Sequence, residues 1–392
     1  MDRPWLHIIG LGEDGLAGLP DASRAALAAA TVIFGGPRHL ALVQASDRAR
    51  PWPVPFDVAH VLVHRGQPTV VLASGDPFWF GAGSSLMPHL APGEWLAHPA
   101  PSTFSHAAAR LGWRLEETTC LGLHAAPFAR LRPHLANGAR LIVLLRDGDA
   151  PAALAAWLDG AGFGTSHLHV LQALGGVQER ITQTTAAGFN TPNITAPVAV
   201  AIDAAGDGLP QTPGLPDSLF ASDGQITKSP IRALTLAALA PRRGEVLWDL
   251  GAGSGSISVE WCLVGGLAHA VELRPDRATN IRANALGFGV DHRLALHSGS
   301  SLDLIATLPR PDAVFVGGGG DMALFQRLLD TLPPGTRLVA NGVTLETEAL
   351  LATLHASHGG TLTRIDIATA TPLGTMRGWQ AARPVVQWSV TL

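Results

Sequence analysis

The run Val246-Leu247-Trp248-Asp249-Leu250-Gly251-Ala252-Gly253-Ser254-Gly255-Ser256 sets three alternate glycines between an apolar segment and the helical pattern Ile257 to Cys262. Glycines are needed where a turn is tight and a ligand lies against bare backbone, and the helix start offers free N–H groups. A second short apolar segment, His269-Ala270-Val271, ends on Glu272. An acid at the tip of a neighbouring strand can accept hydrogen bonds from both ribose hydroxyls of an adenosine. A dinucleotide fingerprint would put its third glycine at the position of Ser256, whereas here it is Gly255. That spacing favours a nucleoside with a short tail over a dinucleotide.

The first half of the chain holds a different constellation. Gly10-Leu11-Gly12-Glu13-Asp14-Gly15 follows the apolar run Leu6 to Ile9, and Ser74-Gly75-Asp76-Pro77-Phe78-Trp79-Phe80-Gly81 follows Thr69 to Ala73. Gly75 ends a buried strand, Asp76 is expected to cap the next helix, and Pro77 suits its first position. The same half carries Gly35-Gly36-Pro37-Arg38-His39-Leu40, Pro101-Ser102-Thr103-Phe104-Ser105 and Leu121-Gly122-Leu123-His124. His60 and His64 have helical i, i+4 spacing, and His167 and His169 flank one residue, but neither pair has an evident third ligand, so no metal site is expected.

These groups need a scaffold of alternating strands and helices. Strand patterns recur at Arg140 to Leu145, Pro197 to Ile202 and Glu245 to Leu250, with helical patterns at His106 to Leu111, Pro151 to Leu158 and Ile231 to Leu239. The fold class is α/β with a mostly parallel sheet. Periodicity fails from Ala204 to Leu219, a stretch dominated by glycine and proline. The expected organisation is a domain over residues 1–204, a linker over 205–219 that few contacts cross, and a domain over 220–392. The last two strands, Arg364 to Ala368 and Val385 to Val390, have no helix between them, which predicts an antiparallel hairpin closing the sheet.

With 392 residues, 47% hydrophobic and 15% charged, the chain suits two filled cores. A net charge of −4 gives no reason to expect nucleic acid or an anionic membrane as a partner. No signal peptide or membrane span is visible, and two cysteines, Cys120 and Cys262, in separate blocks fit a reducing cytoplasm. Lys228 is the one lysine among 27 basic side chains.

The block from about Phe220 resembles the class I S-adenosylmethionine-dependent methyltransferases, and within them the decarboxylating precorrin methyltransferases of corrin biosynthesis. The resemblance rests on Ile226-Thr227-Lys228-Ser229-Pro230-Ile231-Arg232, the glycine loop and Asn280-Ile281-Arg282-Ala283-Asn284-Ala285. It extends through Val314-Phe315-Val316-Gly317-Gly318-Gly319-Gly320 and Asn341-Gly342-Val343-Thr344-Leu345-Glu346-Thr347-Glu348. It implies a Rossmann-like domain in which Thr227, Gly251, Ala252, Gly253, Ser254, Gly255, Glu272 and Ser301 line the cofactor. Lys228, Arg232 and Arg377 are then candidate partners for the carboxylates of a tetrapyrrole.

The motifs of residues 5–202 resemble the tetrapyrrole methylase family, in particular its precorrin C5-methyltransferase unit. This implies a two-lobed class III methyltransferase domain with cofactor between the lobes, at Gly75, Asp76, Ser102, Thr103 and His124. The first loop departs from the family's Gly-x-Gly-Pro-Gly, placing Glu13 and Asp14 where proline is expected. Together the resemblances imply one fused, homo-oligomeric enzyme with two S-adenosylmethionine sites per chain and no metal. It would methylate a polycarboxylate precorrin at C5 and C15 and remove CO2 from the ring C acetate. Two other readings remain at this stage: a nicotinamide-dependent oxidoreductase, and a chain in which only the second block is catalytic while the first binds substrate.

Overall fold

The structure, a computed structural model, describes residues 4–392. Contacts divide it into two compact units, one formed by the chain up to Ala126 with His134–Asp207, the other by Pro127–Pro133 with Gly208–Leu392.

The first unit contains two sheets. β1 (Leu6–Leu11), β2 (Val32–Gly35), β3 (Ala49–Pro51), β4 (Thr69–Ser74) and β5 (Trp95–His98) make a sheet of order β3-β2-β4-β1-β5 with every pairing parallel. Central β1 and β4 are almost wholly buried, which explains their unbroken apolar sequences. The second sheet is β6 (Thr118–Gly122), β7 (Arg140–Leu145), β8 (His167–Gln172), β9 (Arg180–Thr185) and β10 (Val198–Asp203), in the order β6-β7-β10-β8-β9. Here only β6 and β7 run parallel. The expectation of a mostly parallel sheet therefore fails for this lobe, because β8 and β9 join directly, without a helical crossover.

The second unit is a seven-stranded sheet. β11 (Val246–Leu250), β12 (Leu267–Glu272), β13 (Leu294–Ser298), β14 (Ala313–Val316) and β15 (Arg337–Gly342) are parallel. β16 (Thr361–Ile365) and β19 (Val385–Thr391) complete the order β13-β12-β11-β14-β15-β19-β16, with β19 antiparallel to both neighbours. The two strands are antiparallel neighbours as expected, but they are not joined as a hairpin. The intervening chain forms a separate hairpin, β17 (Ala368–Leu373) and β18 (Met376–Ala381), so Ala368 does not continue the strand before it.

The proposed linker is not loose. From Gly208 it belongs to the second unit, and Leu215 and Phe220 are buried in that unit's core. What holds it is a hub at Arg232, on the helix Ser229–Leu239, whose side chain has no exposed surface. Its Nε donates to Glu260 Oε1 at 2.5 Å, one Nη donates to Asp217 at 3.1 Å and to the carbonyl of Thr227, and the other donates to the carbonyl of Leu215. The guanidinium stacks 4.7 Å from the centre of the Phe220 ring. Glu260 in turn accepts from the backbone N–H groups of Gly214 and Leu215 at 2.7 and 3.0 Å. Just ahead of the short 3-10 helix Asp217–Leu219, the backbone at Gly214 and Leu215 is thus paired by two side chains from two helices, which no periodicity reveals.

Breaking a buried pair leaves an uncompensated charge, at about 3–5 kcal/mol. Glu260→Gln is therefore expected to destabilise the second unit by about that amount, measured by denaturant unfolding, and Glu260→Met with Arg232→Met by less than the single change.

Candidate functional site

The carboxyl ends of β11, β14 and β15 open onto a cavity of about 750 Å³. The glycine loop forms its floor. Gly251, Gly253 and Gly255 all have positive φ, at 71°, 59° and 71°. A Cβ on Gly251 would lie 2.3 Å from the carbonyl oxygen of Gly318, so the loop and the second glycine run touch backbone to backbone. Gly318 and Gly319 have nothing within 4 Å of where a Cβ would be, leaving open backbone for a flat ligand.

Neighbouring side chains hold the loop. Glu272, 5% exposed at the end of β12, accepts from Gly253 N–H at 2.7 Å and Arg274 N–H at 2.9 Å. Asn284, from the motif Asn280 to Ala285, donates to the carbonyls of Ser254 (2.8 Å) and Ala221 (2.9 Å) and accepts from Ala221 N–H at 2.7 Å. It ties the loop to the segment leading to Thr227. Behind the loop, Asp249 accepts from the Ser258 hydroxyl and N–H at 2.6 and 3.2 Å. Burial pushes its carboxyl up to about 6, and the negative charge of Glu272 adds to the rise.

The expected residues separate into groups. Thr227, Lys228, Gly251, Ala252, Gly253 and Ser254 line the cavity. Gly255 stands one step back as the cap of the helix Ser256–Leu263, and Glu272 holds the loop from below. Ser301 begins the short helix Ser301–Leu304 and is not among the lining residues. Arg232 cannot meet a substrate carboxylate, because it is fully buried and already bound to Glu260 and Asp217. Arg377 is also displaced, exposed on β18 and outside the cavity lining. The basic residues that do line the cavity are Lys228, Arg277 and Arg383. Arg277 is held by Asp223 and Gln225, and Lys228 lies 3.7 Å from Asp217. Arg383, beside the start of β19, carried no motif that could have marked it.

The first unit has its own cavity of about 590 Å³ between its two sheets. Gly75, with φ of 56°, sits so close to the next segment that a Cβ would be 2.6 Å from Ser102 Cα. Ser102 caps the helix Thr103–Leu111, accepting from Ser105 N–H at 3.1 Å. Gly75, Ser102, Thr103 and His124 line the cavity. Asp76 does not, and it caps no helix. Its carboxylate accepts from Phe78 N–H at 2.8 Å in a turn, and the next helix starts only at Gly83.

The motif around Arg38 also faces this cavity. Arg38 pairs with Glu13, one of the two acids of the unusual first loop, and both line the cavity. Arg38 Nη2 donates to Ser74 Oγ at 2.9 Å, and His39 Nε2 lies 2.9 Å from the same oxygen. Burial, with the charge of Arg38, lowers the His39 imidazole to about 4, and burial lowers His124 as well. No cluster of three or more His, Cys, Asp or Glu able to hold a metal occurs among the described residues, nor any helix long and apolar enough to cross a membrane.

Comparison with known proteins agrees with this division. Residues 5–189 match the family Tetrapyrrole (Corrin/Porphyrin) Methylases, and residues 218–392 match the Precorrin methyltransferase domain. A precorrin-6Y C(5,15)-methyltransferase [decarboxylating] of Sinorhizobium sp is 48% identical over 99% of this chain and 96% of that protein. The protein of the same name from Mycobacterium tuberculosis (strain ATCC 25618 / H37Rv) is 41% identical over 98% of this chain and 99% of its own. The crystal structure of the C-terminal domain of precorrin-6Y C5,15-methyltransferase from Rhodobacter capsulatus is 61% identical over 47% of this chain and 100% of its own, with a TM-score of 0.46.

Gly251→Ala is expected to abolish adenosylhomocysteine binding in the second cavity, since its methyl group would strike the Gly318 carbonyl from a backbone geometry alanine rarely adopts. Calorimetric titration checks this: one binding event should disappear and any in the first unit should remain.

Proposed function

The chain belongs to the family of decarboxylating precorrin-6Y C5,15-methyltransferases, and from that premise we propose how its two cavities divide the work. The enzyme methylates a precorrin at C5 and C15 at the expense of S-adenosylmethionine and decarboxylates it, a step of cobalamin biosynthesis. In our assignment the first unit's cavity serves C5, and the second unit's serves C15 and the loss of CO2 from the ring C acetate. Each cavity takes its own S-adenosylmethionine, giving two sites per chain. The observation that supports this most is the presence of two separate cavities, each confined to one unit, the second lying wholly and the first largely within one family match.

In the second cavity the bare loop Gly251 to Gly255 receives the nucleoside, and Glu272 has lone pairs left to accept from ribose hydroxyls beside its bonds to the loop. Thr227 and Lys228 border the same space, their backbone position set by Arg232. In the first cavity Gly75, Ser102, Thr103 and His124 are the corresponding lining. S-adenosylmethionine supplies a methyl group on a positively charged sulfur. The acceptor carbons of a reduced tetrapyrrole are electron-rich, so the protein's main task is alignment and partial exclusion of water. Lys228 and Arg383 are placed to meet substrate carboxylates at the second cavity, where Arg232 and Arg377 are not.

Calorimetric titration of the full chain with adenosylhomocysteine should give two sites; one site, with both units folded, would refute the assignment. Glu272→Ala should weaken the second site by about 1–3 kcal/mol. Mass spectrometry of the products should then show methylation at C15 falling while methylation at C5 survives.

A further inference from the structure

Asn341 ends the buried run Leu338-Val339-Ala340 of β15 and lies in the wall of the second cavity with Gly317, Gly318 and Thr227. Its amide is held in one direction. Thr235 donates its hydroxyl hydrogen to the carbonyl of Ile231 at 2.8 Å. Having only one hydrogen, that hydroxyl must act as acceptor toward both of its amide neighbours, Asn341 Nδ2 at 2.9 Å and Gln387 Nε2 at 3.1 Å. Gln387 Nε2 gives its other hydrogen to Asn341 Oδ1 at 3.0 Å. Polarity therefore runs from a helix backbone carbonyl through a hydroxyl and two amides to the cavity wall, and Asn341 cannot turn over without setting acceptor against acceptor. Thr235 is wholly buried and Gln387 is 7% exposed. A polar network this far inside a core is costly unless every member is paired. Among the described residues its one uncommitted donor is the second N–H of Asn341, at the end that lines the cavity.

Resting on the assignment of decarboxylation to the second cavity, we infer that Asn341 is the substrate-orienting residue for the carboxylate that is lost, donating its free amide N–H to an oxygen of the ring C acetate, with Thr235 and Gln387 as positioning residues. In that step the bond between the acetate methylene and its carboxyl carbon breaks. The electron pair enters the conjugated macrocycle, CO2 leaves, and a proton from water completes the methyl group. A cation on the departing carboxylate would stabilise the charged ground state more than the transition state, in which that charge is leaving. A neutral donor held from behind fixes the orientation at a smaller penalty. Lys228 and Arg383 then serve the carboxylates that are retained.

The test uses the full chain and follows CO2 release, methylation at C15 and methylation at C5, with adenosylhomocysteine titration as the check on folding. Asn341→Ala should lower kcat/KM for CO2 release at least tenfold, while methylation at C5 and both cofactor affinities stay within twofold. Thr235→Val, which removes the acceptor, should show the same selective loss, and Thr235→Ser, which keeps the hydroxyl, should restore most of the rate. CO2 release within twofold of the unchanged chain in folded Asn341→Ala would overturn the role of Asn341. Equal rates from the valine and serine variants would overturn the positioning role of Thr235. If Gly251→Ala, which blocks the second cavity, leaves CO2 release unchanged, the assignment of decarboxylation to that cavity fails, which is a distinct result.

Discussion

A fully buried guanidinium, that of Arg232, is the constraint on which the second unit depends. Its bonds reach Glu260 on one helix, Asp217 and Leu215 in the incoming chain, and the carbonyl of Thr227 at the cavity edge. Burying a charge is tolerable only when nearly all its donors are used, and here they are spent on groups from four separate places in the chain. The same bonds fix how the chain enters the unit and where Thr227 and Lys228 stand relative to the glycine loop. Stability and site geometry are thus two effects of one interaction.

Each cavity has a stretch of bare backbone in its wall. Gly251 meets Gly318, Gly75 meets Ser102, and each contact is closer than any side chain would permit. Polar side chains then act on that backbone from behind: Glu272 and Asn284 on the second loop, Ser102 on the helix beside the first cavity. Methyl transfer asks chiefly for alignment, and close backbone contacts held by hydrogen-bonded side chains answer that need.

The parts of this structure legible in the sequence are those with local signals. The strand β7 runs from Arg140 to Leu145 as its apolar pattern predicts, and the glycine loop with Glu272 lies where its spacing puts it. Where a residue's role is set by distant partners, local signals mislead. Arg232 sits in a basic-looking motif, yet Glu260 and Asp217 draw it into the core. Gly214 and Leu215 look like linker until Glu260 accepts their N–H groups. Asp76 precedes a proline as a helix cap should, but the chain turns once more before Gly83. Asn341 was visible as part of a motif, while its direction depends on Thr235 and Gln387 from two other elements.

The central claim is that one chain carries out two methylations and a decarboxylation. Its most direct test is to give the purified chain a precorrin that retains the ring C acetate, with S-adenosylmethionine labelled in the methyl group, and to locate the label in the product by NMR with its mass. The account predicts label at C5 and at C15 of one product that has lost one CO2. A product labelled at one carbon only, or labelled at both with the acetate intact, would contradict it.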